Sequence, residues 1–487
     1  MSDHMSPEEF RRHGKQVVDW IADYLAGIES YPVMSQVKPG EIRSALPSGP
    51  PERGEPFEAV LSDLGRILLP GITHWQHPGF FAYFPSNASG PAVLGDLLSS
   101  GLGVQGMLWV ASPACTELET VVVDWLAELL DLPEHFRTNA KGGGVIQDSA
   151  SSACLVALLA ALHRASDGQV TSDGIKRRYT LYVSSQTHSS LEKAARIAGL
   201  GTSGVRVVDV DPRTLAMDPG HLRTLLAQDE AAGAVPAMVC ATVGTTSTTA
   251  VDPVREIGEV CRERGLWLHV DAAYAGVAAV CPEFRWLNDG VAEYADSYST
   301  DPHKWLLTNF DCAVLWTADR APLLGALSIL PEYLRNPATS AGSVVDYRNW
   351  QVPLGRRFRA LKLWSVIRWY GAEGLRAHIR KGVGLAQELA SWISADPGFE
   401  VHEPHPLGLV CFRPEWPGLA AAEADAATMR LLQLLNASGS VYMTHARIAG
   451  RVVLRLAIGG AATERRHVEQ AWEQIRWELA ALSTTLP

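Results

Sequence analysis

The chain has 487 residues, 47% hydrophobic and 20% charged, the balance of a folded globular protein of two or three structural units rather than a disordered one. Its formal charge of −11, with no run of Lys or Arg, argues against a large nucleic-acid surface. The seven cysteines (Cys115, Cys154, Cys240, Cys261, Cys281, Cys312, Cys411) show no Cys-x-x-Cys spacing, and no apolar run is long enough to span a bilayer. A reduced, cytoplasmic protein without structural zinc is expected.

Met1–Arg12 is polar and acidic, unlike a signal peptide. Ser6 followed by Pro7-Glu8-Glu9 predicts an N-cap, and Phe10, Val17, Ile21 and Leu25 carry a helical stripe through 6–30. Residues 31–56 read as an extended connector, and Phe57–Leu69 as a second amphipathic helix. Such an arm has little core of its own, so it is expected to pack on another surface, a partner subunit being one candidate. The aromatic run His74–Pro85 reads equally as a packed turn or as one wall of a pocket for a flat substrate.

Beyond residue 115 the pattern alternates. Thr116–Leu130 and Ala153–Arg164 are helical, and Gly142–Ile146 leads into Gln147–Ser152. Short apolar strands are predicted at Tyr179–Ser184, Val205–Val208, Met238–Thr242, Leu266–Val270 and Cys312–Trp316. Helices at Ser190–Ala198, Pro219–Gln228 and Pro253–Arg264 separate most of them. Repeated strand–helix units imply an α/β fold, a mostly parallel central sheet with helices on both faces. Asp252-Pro253 reads as an N-cap with a first-turn proline. Residues 335–350 form a long polar stretch, a lid or a disordered segment. A helical region from Phe358 to about Ala395, two or three strands and a last helix at Thr463–Leu482 suggest a smaller α+β unit. The reading divides the chain into an arm at 1–85, a large domain at 86–360 and a small domain at 361–487.

Two motifs carry the chemistry. Ser299–Trp305 reads Ser-Thr-Asp-Pro-His-Lys-Trp, where Pro302 is expected to stop any ladder or helix. Most lysines are solvated, but Lys304 sits between His303 and Trp305 beside an apolar run. In His269–Gly276, Asp271 ends an apolar strand pattern. A buried Lys that can lose its proton forms a Schiff base with an aldehyde. A carboxylate paired with a ring nitrogen makes pyridoxal phosphate an electron sink. Asp148–Ser152 opens a helix whose free N–H groups suit a phosphate, although serines at N-caps are ordinary. His188 follows a strand and is either a capping or core histidine or a group stacked on a cofactor ring that later donates a proton. Thr245-Thr246-Ser247 could supply a hydroxyl. All of these lie at strand ends, where a parallel α/β sheet binds ligands.

These residues, in this order, resemble the group II pyridoxal-phosphate decarboxylases, in particular the aromatic-L-amino-acid decarboxylase family. The resemblance covers nearly the whole chain. It runs through Glu9–Arg12, Gly71–Trp75, Phe80–Pro85, Ala111–Glu119, Trp267–Gly276, Pro302–Leu306 and Pro353–Arg359. It implies a fold type I enzyme (aspartate-aminotransferase-like) with an N-terminal helical arm and a small α+β C-terminal domain. By the same resemblance Lys304 forms the internal aldimine, Asp271 binds the pyridinium nitrogen and His188 stacks on the ring. Ser149, Ala150 and Ser151 hold the phosphate with His303, while Thr246, Ala273 and Gly355 complete the cofactor surroundings. Trp75, Tyr83, Phe84, Pro85, Gln105, Met107 and His188 would line the substrate pocket, with no metal. Tyr347, on a mobile loop, would protonate the quinonoid carbon. The implied assembly is a homodimer with interleaved arms and interfacial sites, without nucleic-acid or membrane partners.

The implied reaction converts an aromatic L-amino acid (tryptophan, dopa, 5-hydroxytryptophan, tyrosine or phenylalanine) to the amine and carbon dioxide. Related aldehyde synthases usually carry Phe at the Tyr347 position in plants, or Asn at the His188 position in insects, so simple amine formation is expected. Gly355 matches dopa- and indole-preferring members. Gln105, Met107, Ser86 and Gly79 depart from the dopa-type pattern and leave the substrate open. Asp301 replaces the usual Asn near the phosphate and Asp148 a Gly. A carboxylate there must be offset by a proton or a cation. A transaminase or lyase on the same fold, or a non-enzymatic scaffold, is the rival reading. Tyr347 and the aromatic run argue against the first, and the joint presence of Lys304, Asp271 and His188 against the second.

Overall fold

The computed structural model describes residues 4–329 and 344–484. The chain divides into two compact units, one of Met1–Pro85, Leu389–Glu400 and Phe412–Pro487, the other of Ser86–Glu388 with Val401–Cys411. The larger unit is built on seven strands: β1 (Gly143–Gln147), β2 (Tyr179–Ser184), β3 (Val205–Val208), β4 (Val235–Thr242), β5 (Trp267–Asp271), β6 (Ser297–Thr300) and β7 (Ala313–Thr317). Their order is β1-β7-β6-β5-β4-β2-β3. β6, β5, β4, β2 and β3 pair in parallel, whereas β7 runs antiparallel to both β6 and β1. A single reversed strand therefore leaves β1 pointing the same way as β6. The carboxyl ends of β1, β2, β4, β5 and β6 open on one edge of the sheet, where open α/β sheets bind ligands.

The strands form where apolar, β-branched residues run without alternation, because helices cover both faces. Every residue of β1, β2, β5 and β7 is buried. The helix Ala150–Ala165 lies against this core through Ala153, Ala157, Ala160 and Ala161, packed with Leu181, Met238 and Leu315. Small side chains at that spacing bring the helix close to the sheet, which seats its N-terminus beyond β1.

In the smaller unit Ser6 caps the helix Pro7–Ala26 as the sequence predicts, with Glu9 N donating to Ser6 Oγ and Ser6 N to Glu9 Oε2. A second sheet has the order β10-β11-β9-β8, with β8 at Phe399–Val401, β9 at Leu409–Pro414, β10 at Thr444–Ile448 and β11 at Arg451–Ala457. The helix Ala421–Ala437 was not anticipated from the sequence, because its alanine-rich start blurs the apolar stripe. The long helix Arg359–Ser394, which belongs to the larger unit as far as Glu388, is broken at Gly371 (φ 59°, ψ 178°), a backbone state that glycine adopts without a Cβ clash.

Two local expectations are corrected. Asp252 is not an N-cap: the helix Val254–Arg264 has no side-chain cap. The buried carboxylate instead accepts from Met217 N (2.7 Å) and Thr242 N (2.8 Å), tying the end of β4 to a distant loop. Pro302 stops β6 but opens a helical turn, Pro302–Trp305, because a proline at the first helical position lacks only an N–H that has no helical partner anyway. Of the expected lid at 335–350, residues 335–343 lie outside the described residues. Among the described residues no helix is long and apolar enough to cross a membrane.

Candidate active site

The turn Pro302–Trp305 places Lys304 just beyond β6 and beside Asp271 at the end of β5, because the two strands are parallel neighbours with Asp271 opposite Ser299. The Lys304 side chain is 27% exposed and its Nζ lies 2.9 Å from Asp301 Oδ2. Burial alone would lower the ammonium's pKa. Asp301, through charge and hydrogen bond, and Asp271, through charge, more than offset it, so the group is held above its usual range.

Asp271 is buried. Its Oδ1 accepts from Ala273 N (3.1 Å), and the Cys154 thiol donates to Oδ2 at 3.9 Å. Burial pushes its carboxyl up, Lys304 pulls it back, and Asp301 adds to the rise. The Cys154 sulfur also lies 3.9 Å from His269 Nε2 and accepts from Ser190 Oγ at 3.9 Å. His269 is held neutral by burial, its pKa lowered to about 3, and its Nδ1 meets Ser297 Oγ at 2.9 Å.

His188, after β2, is exposed. Ser190 N donates to its Nδ1 (3.2 Å), so the neutral imidazole carries its proton on Nε2. Although the side chain is reached by solvent, partial desolvation on its protein side lowers its pKa, countered by Asp271. Beyond β4, Thr245 Oγ1 meets Thr248 Oγ1 at 3.1 Å and accepts from Ala250 N, a closed turn that leaves Thr246 exposed. Gly244 (φ +82°) is required there: a Cβ would come within 2.4 Å of the Ala275 Cβ behind Asp271.

Ser149 caps the helix Ala150–Ala165, accepting from Ser152 N at 3.4 Å, while Ala150 and Ser151 keep first-turn N–H groups without a helical acceptor. Ser149 Oγ also donates to Asp148 Oδ1 (3.2 Å). His303 is buried, its Nδ1 against the Cys312 backbone and its Nε2 3.6 Å from Asp301. Lys304, Asp271 and His188 are electrostatically coupled.

The other expected site residues have the following surroundings. Trp75 and Tyr83 are half exposed and stacked at 5.6 Å, with Trp75 also stacked on Phe80 at 4.5 Å. Phe84 is buried with the Arg455 guanidinium 5.5 Å over its ring, and Pro85 is buried. Gln105 and Gly355 are brought together: a Cβ on Gly355 would stand 3.6 Å from Gln105 Oε1, and both line a cavity of about 330 Å³. Met107 accepts from Arg348 N through its carbonyl.

Tyr347 is buried, its hydroxyl 3.1 Å from Thr120 Oγ1 and its ring 4.9 Å beneath the Arg356 guanidinium. Burial, with Glu119 nearby, pushes its phenol up. None of its described contacts is to Lys304, Asp271 or His188.

The sequence reading missed two arrangements. One is the Asp301–Lys304 pair, whose signal was the i, i+3 spacing of opposite charges. The other is the buried Glu119–Arg356 pair, whose partners are 237 residues apart, so that no local pattern marks it. Among the described residues no cluster of His, Cys, Asp or Glu is arranged to hold a metal ion.

The donor set suits pyridoxal phosphate. A buried carboxylate holds few protein donors, an amine stands beside it, an imidazole is exposed nearby, and helix N–H groups lie at the end of β1 on the same edge of the sheet.

Comparison with known proteins agrees. Residues 39–415 match the family model described as the pyridoxal-dependent decarboxylase conserved domain. The chain is 47% identical over 479 residues to a phenylacetaldehyde synthase of Arabidopsis thaliana, covering 98% of this chain and 97% of that protein. It is 46% identical over 479 residues to an aromatic-L-amino-acid decarboxylase of Mus musculus, covering 97% of each. A crystal structure of Oryza sativa TDC with PLP and tryptamine superposes with a TM-score of 0.96 at 42% identity, covering 99% of this chain and 100% of that one.

Proposed function

Because the chain belongs to the pyridoxal-phosphate-dependent decarboxylases of group II, within the aromatic-L-amino-acid decarboxylase family, we propose that it removes the α-carboxylate of an aromatic L-amino acid and releases the amine. The observation that carries this reading is the placement of Lys304, Asp271 and His188 around one sheet edge. When bound, pyridoxal phosphate supplies the electron sink for the pair released as the carboxylate leaves. Lys304 is the attachment point for its aldehyde. Asp271, buried and short of protein donors, holds the ring nitrogen protonated. The exposed His188 imidazole covers the ring, and its Nε2 proton is available on that side. Ser149, Ala150 and Ser151 receive the phosphate through side-chain and first-turn N–H groups, with His303 and Thr246 completing the surroundings. The Ala273 side and the Gly355 segment bound the cofactor.

Trp75, Tyr83, Phe84 and Pro85 are assigned to the substrate side chain, together with Gln105 and Met107. A flat ring suits stacked aromatics. Tyr347 is assigned the return of a proton to Cα, which requires it to leave its present berth against Thr120 and Arg356. A homodimer is proposed as the working form. The helix Gly90–Leu102 presents Leu94, Leu97, Leu98 and Leu102, each at least half exposed, a face suited to a second copy.

The test is a panel of L-amino acids with pyridoxal phosphate added, following products by mass spectrometry. Equimolar aromatic amine and carbon dioxide are expected. Aldehyde with ammonia and hydrogen peroxide would replace the amine reading by that of an aldehyde synthase. Glutamate as best substrate would remove Trp75–Pro85 and Gly355 from the substrate assignment.

A further inference from the structure

A buried file of hydrogen bonds runs behind Asp271. Trp267, His269 and Asp271 alternate on one face of β5, Ser297 and Ser299 come from β6, Cys154 from the helix Ala150–Ala165 and Ser190 from the start of the helix Ser190–Ile197. All seven are buried. Trp267 Nε1 donates to Ser297 Oγ (2.8 Å), and the Ser297 hydroxyl meets His269 Nδ1 at 2.9 Å. Having accepted from the indole, and with His269 its remaining described partner, that hydroxyl donates, so the imidazole carries its proton on Nε2. His269 Nε2 faces Ser299 Oγ (3.4 Å) and Cys154 Sγ (3.9 Å), and Ser190 Oγ donates to the same sulfur at 3.9 Å. The sulfur thus accepts from two sides, and its own S–H has Asp271 Oδ2, 3.9 Å away, as acceptor.

Burial keeps Cys154 a thiol and His269 neutral, so each donor along the file holds its proton. Asp271 receives two described hydrogen bonds, one on each oxygen: Ala273 N on Oδ1 at 3.1 Å and Cys154 on Oδ2. A single donor leaves a carboxylate plane free to turn about its Cβ–Cγ bond. A second donor on the other oxygen, arriving from a different element, fixes that plane. A thiol is a weak donor, and accepting from two neighbours polarises it. It holds Oδ2 in place while leaving most of the carboxylate's accepting power for a third partner.

We propose that Cys154 is a positioning residue for Asp271: its S–H, turned toward Oδ2 by the hydrogen bonds from His269 and Ser190, sets the carboxylate plane for the ring nitrogen of pyridoxal phosphate. The inference rests on the reading of Asp271 as the partner of that nitrogen. No bond is made or broken at sulfur. The competing role is packing. Cys154 belongs to the same buried cluster as Ala153 and Ala157, on the helix whose N-terminus is assigned to the phosphate. Loss of volume there would be felt at the phosphate, whereas loss of the S–H would be felt at the ring nitrogen. The two roles therefore differ in which part of the cofactor registers the change.

The experiment measures the dissociation constants of the cofactor-free protein for pyridoxal 5'-phosphate and for its carbocyclic analogue, in which C–H replaces the ring nitrogen while aldehyde, phenol and phosphate remain. Wild type, Cys154→Ala and Ser190→Ala are compared. Wild type is expected to bind the analogue at least about tenfold more weakly than the cofactor. Cys154→Ala should weaken the cofactor about three- to tenfold and the analogue less than about twofold, closing part of that gap. Equal weakening of both ligands would make Cys154 a packing residue beside the phosphate site and overturn the proposal, as would no weakening of either. Should Cys154→Ala fail to fold, Ser190→Ala decides, since it removes a donor to the sulfur and leaves the Ser190 N–H on His188. A loss of about twofold or more confined to the cofactor supports the proposal, and an equal or absent effect overturns it. The reading of Asp271 fails separately and in wild type alone: if wild type binds both ligands alike, Asp271 does not serve the ring nitrogen, and the proposal falls with that reading.

Discussion

Glu119 and Asp301 are both carboxylates buried beside a cation in the larger unit, and they are provided for in opposite ways. Glu119 receives two hydrogen bonds from Arg356 (2.7 and 3.0 Å) and a third from Ile146 N (2.8 Å). Arg356 in turn donates to the Ile146 carbonyl and to Gln351 Oε1, and its guanidinium lies over Tyr347. Asp301 has one lysine and an unpartnered oxygen. A saturated bidentate pair fixes geometry, here that of β1 and the Gly355 segment. An unsaturated one keeps its charges free to rearrange, which is what a lysine that must change partners requires. Polar burial alone does not mark a reactive site; incomplete satisfaction does so better.

The comparison can be broken most directly at Lys304. Lys304→Ala should lower turnover by at least about a thousandfold while moving the urea midpoint less than the loss of Arg356 does, because Asp301 loses a single partner whose side chain is 27% exposed. A large loss of stability in that variant would make the pair structural. At the other cluster Arg356→Met should leave Glu119 buried and unpaired, at a cost of about 3–5 kcal/mol in the denaturant-derived stability. A change below about 1 kcal/mol would show that the saturated pair is dispensable.

Asp252 offers a middle case, a buried carboxylate with two backbone donors and no cation. Burial raises its carboxyl to about 6 from an ordinary 3.8. A folded-state value above the unfolded one means that stability is full below about pH 4 and falls as the pH rises through 6, by roughly 3 kcal/mol for this displacement. Asp252→Asn should abolish that slope in stability measured from pH 4 to pH 7, whatever it does to absolute stability. A slope that persists would assign the titration to another group.

The smallest effect is expected at Tyr347. Removing its hydroxyl in Tyr347→Phe loses the contact to Thr120, about 1 kcal/mol, yet should shift product from amine toward aldehyde. An unchanged product ratio would confine Tyr347 to its packing role beside Arg356.

Much of this molecule is visible along the chain alone. Five strands of the large sheet (β2, β3, β4, β5 and β7) fall within a few residues of where apolar, β-branched runs place them, because such runs signal burial locally; β6, Ser-Tyr-Ser-Thr, carries no such run. Lys304 and Asp271 stand out for a related reason: a charged residue at the end of such a run has to be used. The Ser6–Glu9 cap needs only three residues of spacing. What only the tertiary structure decided involves groups brought together from far apart. Asp252 reaches back to Met217 rather than capping the helix that follows it, and Arg356 finds Glu119 across 237 residues of chain. Tyr347 rests on Thr120, 227 residues away. Asp301 sits three residues from Lys304, but its unpartnered oxygen comes from the enclosure made by β5, β6 and β7. Local pattern determines which segments form strands and helices because backbone hydrogen bonding and burial repeat over a few residues. Which polar atoms end up satisfied depends on three-dimensional packing, and that is settled only when distant segments meet.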